Sequence, residues 1–383
     1  MITQKDIRKI VEGYDTDNLA IGTLGGHSAL DVCRGAKDLG FKTVVVCQKG
    51  REKTYSSYYK SRQDKGIDRS VGKGVVDEVI VVDRFADIIK NGVQQQLRKL
   101  NTIFIHSRYF WVYCNFAEVE NKFAVPIFGT RALLRAEERD QPRNQYFLLE
   151  SAGIRTPKRF SDAKKIDRLA IVKASEAERS YERGFFFAGN YDDYVKKSRQ
   201  LLQQKAITAE SLKKAVIEEF VIGPQINLNF FYSPLTGELE LLGTDTRRQT
   251  NIDGLLRLTA PEQLEALKSI TPKYIESGHI AVTMKESLLE KAFEAGERFA
   301  AATKKFYPPG IIGPFALQAA VSAEQGKEEF VVFDCSLRIP GSPGTRYTPY
   351  GHYLYGEDIS VGKRIAMEIK AAAEEKRLAE VLT

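Results

Sequence analysis

Short apolar segments that alternate with helix-forming stretches organise the first 125 residues of this chain. These segments, each long enough for one buried strand, lie at 19–24, 42–47, 79–83 and 102–106. Strands that are joined by helical crossovers pair in parallel and are covered by helices on both faces. The pattern therefore predicts a parallel α/β domain at 1–125. Ligands of such sheets lie at the carboxyl ends of the strands.

The remaining residues, 126–383, mix predicted strands and helices without this alternation. The apolar runs that predict strands lie at 216–221, 226–232 and 239–243. A helix is predicted at 293–306 and ends before the Pro-Pro-Gly sequence at 308–310. Because 383 residues are too many for one compact core, we expect two or three packed units, the later ones of α+β type.

Two neighbouring apolar runs near the end of the chain predict a hairpin with polar side chains at matching positions. The runs cover 314–321 and 330–338, and a short polar turn joins them. Because side chains alternate along a strand, Gln318 and Asp334 are expected as neighbouring oxygen donors. Such oxygens suit Mg²⁺, which commonly bridges protein and nucleotide phosphates. A structural pair between Asp334 and Arg338 explains the same residues equally well.

The segment Gly25-Gly26-His27-Ser28 lies between the first predicted strand and a helix predicted at 28–39. Free backbone N–H groups and the dipole at a helix N-terminus attract anions, and His27 and Ser28 add side-chain donors. The segment therefore predicts a phosphate site. The alternative is a tight turn in which Ser28 caps the helix. The sequence contains neither a P-loop nor a dinucleotide-binding glycine fingerprint.

Three further residues fit contacts with a nucleotide, although each is weak evidence by itself. Lys173 ends the apolar run at 169–173, where its ammonium group can reach a phosphate. Glu219 and Val221 lie at 218–221, which looks like a hinge, where exposed backbone groups can hold an adenine edge and a carboxylate can take a ribose hydroxyl. Because most lysines are solvated, the order of these residues along the chain carries more information than any one of them.

Composition and charge exclude several classes of function. The net charge is +7, but the basic residues are interleaved with acids, so the sequence has no concentrated basic stripe for nucleic acid. No apolar run has membrane-spanning length, and the first residues lack the apolar core of a signal peptide. The four cysteines are widely spaced and form no CxxC pair. We therefore expect a cytoplasmic protein with reduced cysteines that binds neither nucleic acid nor membrane.

The order Lys173, Glu219, Gln318 and Asp334 resembles the ATP-grasp superfamily, in which two α+β lobes hold ATP and Mg²⁺ lies on late strands. The Asp-x-Ser-x-Arg sequence at 334–338 is similar to the metal strand of that superfamily. The resemblance narrows to the archaeal formate-dependent synthetase of formaminoimidazole-carboxamide ribotide (FAICAR). The segments that carry it, in the same order and over nearly the whole chain, lie at 21–51, 125–138, 217–223, 230–243, 251–255, 308–318 and 330–338.

The resemblance implies a fold and an activity. It implies a pre-ATP-grasp α/β domain at 1–125 and an α+β ATP-grasp region at 126–383, with a small lobe at about 155–222. The implied ligase of purine biosynthesis formylates the amino group of AICAR with formate through formyl phosphate. It would need ATP and Mg²⁺ or Mn²⁺, act on small molecules, and form a homo-oligomer.

The resemblance also implies roles for single residues. The metal ligands would be Gln318 and Asp334. The side chains along the nucleotide would be Lys173, Glu219, Val221, Asn227 and Gln249. The groups on the ribotide substrate would be His27, Ser28, Tyr109 and His279. The catalytic cations that stabilise the acyl phosphate would be Arg247 and Arg338.

The chain departs from the family pattern around this implied site. The loop at 174–184 has lost nearly all the glycines that cover ATP phosphates in the family. Tyr109 stands in place of a small serine and His279 in place of a substrate-binding asparagine, while Gln249 and Asp334 each replace a glutamate. These changes leave open a paralogue with a different amine or carboxylate substrate, a non-catalytic protein that binds a nucleotide or ribotide, and a structural subunit of an active homologue.

Overall fold

A computed structural model of the chain describes residues 2–63, 72–139, 141–175, 183–270, 272–323 and 326–383. Most of the glycine-poor loop at 174–184, namely residues 176–182, lies outside the described residues, as do the side chains at 175 and 183. The described chain contains four sheets. One is five-stranded and parallel, one is four-stranded and antiparallel, one is five-stranded and antiparallel, and the fourth is a two-stranded antiparallel pair, Arg62–Gln63 with Gly72–Lys73.

The first part of the chain is the parallel α/β domain that its alternation predicts. Its strands are β1 (Ala20–Leu24), β2 (Lys42–Gln48), β3 (Arg62–Gln63), β4 (Gly72–Lys73), β5 (Glu78–Val82), β6 (Thr102–Ile105) and β7 (Ile127–Phe128). Its helices are α1 (Gln4–Glu12), α2 (Ala29–Asp38), α3 (Asn91–Lys99), α4 (Arg108–Tyr113) and α5 (Phe116–Lys122). All pairs in the order β5-β2-β1-β6-β7 are parallel, and β7 lies just beyond residue 125.

The second part is α+β, as expected. Its strands are β8 (Arg159–Phe160), β9 (Ala170–Ser175), β10 (Arg183–Ala188), β11 (Val216–Glu219), β12 (Gln225–Tyr232), β13 (Leu239–Asn251), β14 (Tyr274–Ala281), β15 (Gly313–Ser322) and β16 (Glu329–Ser336). Its α-helices are α6 (Gln145–Ser151), α7 (Tyr191–Gln203), α8 (Ala209–Lys213), α9 (Ile252–Leu255), α10 (Ala260–Ala266), α11 (Leu289–Phe306), α12 (Pro349–Tyr355), α13 (Val361–Glu374) and α14 (Leu378–Val381). Short 3₁₀ or π segments lie at Thr16–Asn18, Thr54–Tyr58, Phe85–Ile89, Arg131–Glu137, Ala163–Lys165, Glu286–Leu288 and Pro343–Tyr347.

The small antiparallel sheet, in the order β10-β9-β11-β8, presents one face to its own core and the other to the rest of the molecule. Val172 and Ala174 on β9 are buried in that core together with Phe186 and Ile217. Because side chains alternate along a strand, Lys173 faces the opposite side. Lys173 is therefore buried between the small sheet and the rest of the molecule.

The large antiparallel sheet, in the order β14-β13-β12-β15-β16, contains the hairpin that the sequence predicts. Its apolar face packs against Phe299 of α11. The ring centroid of Phe315 lies 5.3 Å from that of Phe230 and 5.8 Å from that of Phe299. Gln318 on β15 lies directly opposite Asp334 on β16, which confirms the predicted register. The polar row of this hairpin therefore belongs to the face that the core does not cover.

The last long helix joins the two parts of the molecule. Helix α13 crosses α2 so closely that a Cβ atom on Gly35 would lie 2.2 Å from the backbone nitrogen of Lys363, so only glycine fits there. Ile365 shares a core with Ile21 of the parallel sheet and Phe231 of the large antiparallel sheet. This packing holds the turn after β1 against the large sheet. Within the described ranges, no helix is both long and apolar enough to cross a membrane.

Candidate functional site

A cleft lies between the turn at 25–28, the polar face of the large antiparallel sheet and the segment at 338–342. We call one end the histidine compartment, which is lined by His27, Asn227, Asp245, Glu276, His279 and Gly341. We call the other end the hairpin compartment, which is lined by Arg139, Phe185, Gln249, Tyr274 and Asp334. The side chains that line both ends are Arg108, Arg247, Glu276, Gln318, Ser336 and Arg338.

In the hairpin compartment, the two predicted metal ligands are each held by an arginine. Arg247 Nη2 donates to Gln318 Oε1 at 2.8 Å, and Arg139 Nη2 donates to Asp334 Oδ1 at 3.0 Å. Burial raises the pKa of the Asp334 carboxyl group, but Arg139, Lys173 and Arg247 outweigh burial and hold the pKa below its ordinary value. Asp334 is therefore ionised, and its arginine partner is Arg139, not the Arg338 that the structural alternative names.

The donor set of Gln318 and Asp334 fits Mg²⁺ in kind. An amide oxygen and a carboxylate oxygen lie opposite each other in the hairpin, and Mg²⁺ usually takes one or two protein carboxylates together with phosphate oxygens. Arg139 and Arg247 lie on the same oxygens that the ion would use. An ion carried in with nucleotide phosphates could exchange with these guanidinium groups, which would then contact the phosphates.

Lys173 is tied to the hairpin compartment through a buried chain of polar groups. It forms an ion pair with Glu218, and Glu218 accepts a hydrogen bond from Tyr146 Oη at 3.0 Å. Tyr146 Oη lies 3.2 Å from Nε of Arg139, the partner of Asp334. Burial lowers the pKa of Lys173, and the charge of Glu218 does not fully compensate. This chain of polar groups connects the small sheet to the predicted metal ligand Asp334.

The two residues of the predicted hinge, Glu219 and Val221, lie outside both compartments of the cleft. Glu219, next to Glu218 on β11, points to the other face of the small sheet, where it accepts from Arg168 Nη1 and from the backbone nitrogen of Lys158, both at 3.2 Å. Val221 follows the strand and is partly exposed. Neither residue lines the described cleft. Their contact with a nucleotide stays a prediction.

Asn227 and Gln249 lie on the polar face of the large sheet, one in each compartment. Asn227 is opposite Asp245 on one side and Gln318 on the other, so a polar row crosses the sheet from Asp245 to Asp334. Asn227 Nδ2 donates to Asp245 Oδ2 at 2.8 Å. Gln249 Nε2 donates to the carbonyl oxygen of Tyr274 at 3.1 Å. Both predicted residues therefore lie inside the cleft.

The turn after β1 lies at the carboxyl end of that strand, as expected, but Ser28 does not cap α2. Ser28 has a positive φ of 67° and makes no side-chain hydrogen bond to the helix, so the capping expectation is wrong. Its Oγ instead donates to the carbonyl oxygen of Pro340 at 2.8 Å. His27 projects into the histidine compartment, where Nε2 contacts Glu276 Oε1. The Ser28 contact fastens the turn to the far wall of the cleft.

His279 lies at the base of the histidine compartment between two carboxylates. Its Nδ1 lies 2.5 Å from Asp245 Oδ2, and its Nε2 lies 3.1 Å from Glu276 Oε1. Burial lowers the pKa of His279, but the contacts with Asp245 and Glu276 outweigh burial and raise the pKa to about 9. Burial raises the pKa of Glu276, but His27, His279 and Arg247 together hold it far below its ordinary value. Glu276 is thus anionic.

The two predicted catalytic arginines both line the cleft, with different partners. Arg247 contacts both compartments, because it donates to Gln318 and its Nε lies 3.2 Å from Glu276 Oε2. Arg338 lies beyond the end of β16, and its Nε is 3.4 Å from Glu137 Oε1. Burial lowers the pKa of Arg338, and Glu137 opposes this shift. Arg247 can therefore contact ligands in either compartment.

Tyr109 lies behind the turn rather than inside the cleft. Its ring packs against Phe85 and Tyr113, with centroids 5.6 and 5.3 Å apart. A Cβ atom on Gly26 would come within 2.2 Å of the Tyr109 ring, so the tyrosine supports the glycine turn directly. The described lining of the cleft does not include Tyr109, and its predicted role in substrate binding stays a prediction.

The charged groups in the cleft that sequence reasoning missed include Arg139, Asp245 and Glu276. Asp245 shares a face with Arg247, and the alternation of the strand predicted at 239–243 would have revealed it if continued. Glu276 and His279 are three residues apart, which on a regular strand puts them on opposite faces. A register shift between β13 and β14 inserts an extra residue there, so both face the cleft. The sequence contains little signal for this bulge.

Two family models match the chain. A protein of unknown function (DUF1246) matches residues 21–160, and a domain of unknown function (DUF1297) matches residues 193–383. The chain is also 39% identical to the 5-formaminoimidazole-4-carboxamide-1-(beta)-D-ribofuranosyl 5'-monophosphate synthetase of Methanothermobacter thermautotrophicus. That alignment spans 385 positions and covers 100% of this chain and 99% of the relative.

Solved structures support the same relationship. The IMP biosynthesis protein PurP from Thermococcus kodakaraensis has a TM-score of 0.67 at 28% identity, over 95% of this chain and 100% of that chain. The biotin carboxylase domain of the Hydrogenobacter thermophilus 2-oxoglutarate carboxylase, solved with MgADP and bicarbonate, has a TM-score of 0.58 at 14% identity. It matches 92% of this chain and 69% of that chain, and at this identity it is evidence for the fold alone. The expected ATP-grasp fold class is confirmed.

Proposed function

Since this chain belongs to the family of 5-formaminoimidazole-4-carboxamide ribofuranosyl monophosphate synthetases, we propose that it is an ATP-dependent ligase of purine biosynthesis. The proposed reaction joins formate to the 5-amino group of AICAR. The products are FAICAR, ADP and phosphate. The observation that carries this proposal beyond the family name is the Gln318–Asp334 pair, which lies beside two arginines in one cleft.

The reaction proceeds in two balanced steps. A carboxylate oxygen of formate attacks the γ-phosphorus of ATP, the bond to the bridging β–γ oxygen breaks, and ADP leaves. The product is formyl phosphate. The amino nitrogen of AICAR then attacks the formyl carbon and loses one proton, and phosphate leaves with the oxygen that formate supplied. Both steps move negative charge within the cleft, so positioned cations lower their barriers.

Gln318 and Asp334 would hold Mg²⁺ or Mn²⁺ together with phosphate oxygens of ATP. An ion held by these two oxygens would supply positive charge to neutralise the phosphoryl group during its transfer. When a nucleotide binds, Arg139 and Arg247 exchange their present oxygens for phosphate oxygens. Arg247 and Arg338 then stabilise the acyl phosphate, because both guanidinium groups line the two compartments. Their burial strengthens this electrostatic effect.

The remaining predicted residues take positions along the two substrates. Lys173 approaches the phosphates from the small sheet, and Asn227 and Gln249 lie along the nucleotide on the large sheet. Glu219 and Val221 frame the adenine from the hinge, outside the cleft itself. The ribotide lies at the other end of the cleft, where the neighbouring side chains are His27, Ser28 and His279, with Tyr109 behind the turn. Holding both substrates in register supplies part of the acceleration.

We further propose that the protein acts in the cytoplasm as a homo-oligomer on small molecules alone, without nucleic acid or membrane. All four cysteines are buried and free, which suits a reducing compartment. Exposed apolar side chains such as Ile222, Leu256 and Leu264 support contacts between copies. Light scattering of the purified protein tests the oligomer, and a monomer at all concentrations would contradict it.

The direct test of the ligase is incubation of the purified protein with ATP, Mg²⁺, formate and AICAR. We expect ADP and FAICAR in equal amounts, and neither product when formate is omitted. ADP release with another amine, but not with AICAR, would keep the ligase chemistry and overturn the acceptor. No ADP across a panel of carboxylates and amines would contradict the proposed function.

A further inference from the structure

The histidine compartment brings together three side chains of the types that bind transition metals. His27 Nε2, a carboxylate oxygen of Glu276 and a ring nitrogen of His279 all lie within 4.8 Å of one another. His27 comes from the turn after β1, while Glu276 and His279 come from β14, where the bulge aims both at the same point. The cluster thus joins the two parts of the molecule at one end of the cleft.

The environment of His279 independently favours a metal ligand. Its Nδ1 faces Asp245, and Asp245 is also fixed by hydrogen bonds from Asn227 at 2.8 Å and from Asn229 at 2.6 Å. A carboxylate on one ring nitrogen is the usual support for a histidine that binds a metal through the other. That other nitrogen, Nε2, is buried and lies 3.1 Å from Glu276 Oε1, the same oxygen that His27 Nε2 contacts. Two imidazole nitrogens that converge on one carboxylate oxygen leave a point between them that a cation can occupy.

The spacing of the three ligand atoms needs only a small adjustment. Zinc binds nitrogen and oxygen at about 2.0–2.1 Å, so two ligands of a tetrahedral ion are about 3.3 Å apart. His279 Nε2 and Glu276 Oε1 already lie 3.1 Å apart. His27 is about one third exposed and lies on a turn, so its ring can move away from Glu276 to the required separation. Arg247 contacts the other carboxylate oxygen, which leaves Oε1 for the ion.

We propose that His27, Glu276 and His279 bind one Zn²⁺ ion, or a divalent first-row metal with similar ligand preference, and that Asp245 orients His279. Two imidazoles and one carboxylate match zinc sites that keep a fourth position open. That position faces the cleft, near Arg247 and Arg338, so an anionic oxygen ligand is the expected occupant. If the ribotide of the proposed function supplies that oxygen, His27 and His279 would act on the ribotide through the ion rather than by direct contact. The site is distinct from the oxygen-only pair Gln318 and Asp334, which suits Mg²⁺.

The test is calorimetric titration of the chelator-treated protein with Zn²⁺ in the presence of millimolar Mg²⁺. We expect one saturable site per chain that Mg²⁺ does not displace. His27→Asn, Glu276→Gln and His279→Asn should each weaken Zn²⁺ binding at least 10-fold, while Asp245→Asn should weaken it about 10- to 100-fold. The matched control is His352→Asn, because His352 is exposed on α12 and pairs only loosely with Asp358 at 3.4 Å. This control should bind Zn²⁺ like the original protein.

Co²⁺ provides a second readout that does not depend on activity. Tetrahedral Co²⁺ in the site should give intense visible absorption, and this absorption should be lost in His27→Asn. Because His27 lies on a turn, this variant is expected to keep the original melting temperature, which separates ligand loss from misfolding. Undiminished Zn²⁺ binding in the folded His27→Asn and Glu276→Gln variants, or no saturable binding in the original protein, would overturn the site. Neither result depends on the ligase reaction, so the two proposals can fail separately.

Discussion

The two compartments of the cleft balance their charges in different ways. In the hairpin compartment, arginines already occupy the oxygens of Gln318 and Asp334. In the histidine compartment, the ring nitrogens of His27 and His279 converge on one oxygen of Glu276. Oxygens held by arginines favour exchange with an incoming nucleotide and its ion. Two imidazoles and a carboxylate around one point favour a transition-metal cation instead.

The largest expected effect tests how firmly the small sheet is coupled to the hairpin compartment. Lys173→Met leaves Glu218 buried without its cation. Breaking a buried ion pair in this way costs about 3–5 kcal/mol in the free energy of unfolding. Urea denaturation of the purified variant measures the loss. The matched control is Lys214→Met, which removes an exposed lysine that pairs with Glu210 and should change stability far less. Equal losses in both variants would show that the buried pair of Lys173 and Glu218 adds no more to the free energy of unfolding than an exposed pair does.

A smaller effect, on turnover alone, is expected from Asp334→Asn. The amide keeps the size of the side chain but removes the negative charge that faces Arg139 and the proposed Mg²⁺. By comparison with the loss of one charge-stabilising group in other enzymes, we expect kcat to fall about 100- to 1000-fold. Steady-state ADP release measures it.

The control for that variant is Asp358→Asn, which removes an exposed carboxylate on the loop after α12. It should leave kcat unchanged. Zn²⁺ binding should also survive Asp334→Asn, because Asp334 belongs to the other compartment. A joint loss of turnover and Zn²⁺ binding would break the distinction between the two compartments.

Lowering the pH should reduce the stability of the folded protein through His106, whose pKa is lowered, whereas the pKa of His279 is raised. His106 is buried near arginines rather than carboxylates, and burial followed by Arg338 and Arg131 lowers its pKa to about 3. The unfolded chain takes up this proton near pH 6.5, whereas the folded protein does not, so stability falls as the pH drops from about 6.5 toward 3. The slope from this one group is about 1.4 kcal/mol per pH unit.

His106→Gln should remove that slope. Between pH 7 and pH 4.5, the urea midpoint of the original protein should therefore fall relative to that of the variant. His352→Gln, which changes an exposed histidine, should run parallel to the original protein throughout. Parallel curves for His106→Gln as well would mean that His106 takes up its proton as readily in the folded protein as in the unfolded chain.

The smallest expected effect comes from a steric change in the histidine compartment that leaves every charge in place. A Cβ atom on Gly341 would lie 2.0 Å from Cε1 of His27, so Gly341→Ala must push the imidazole aside. We expect Zn²⁺ affinity to fall about 10-fold, while ATP affinity stays the same. Gly344→Ala is the control, because its Cβ would meet nothing within 4 Å. Calorimetry measures both ligands, and a matched loss of ATP and Zn²⁺ would show that the compartments act as one.

Much of the fold is readable from the sequence because it depends on regular patterns. The apolar segments of the first part predict the parallel sheet, and the two runs around one short turn place Gln318 opposite Asp334. The hinge is harder, because neighbouring residues on a strand face opposite ways. Glu218 faces the interior and pairs with Lys173, whereas Glu219, which is predicted to contact the nucleotide, faces the other side of the small sheet and pairs with Arg168.

The histidine compartment depends on irregular features that the sequence hardly signals. The bulge on β14 brings Glu276 and His279 to one face, against the ordinary alternation of a strand. Serine is a residue type that often caps helices, but Ser28 has a positive φ and its hydroxyl donates to the carbonyl oxygen of Pro340 instead. Contacts between residues about 250 positions apart, such as His27 and Glu276, form only when the two parts pack together.

The most direct test of the proposed reaction follows one oxygen atom. Formate labelled with ¹⁸O in both oxygens is incubated with the protein, unlabelled ATP, Mg²⁺ and AICAR, and the phosphate product is analysed by mass spectrometry. If formyl phosphate forms in the cleft beside Gln318 and Asp334, each phosphate released carries one ¹⁸O atom, and the other label remains in the formyl group of FAICAR. Phosphate without ¹⁸O would show that water, not formate, attacks ATP, and would contradict the account.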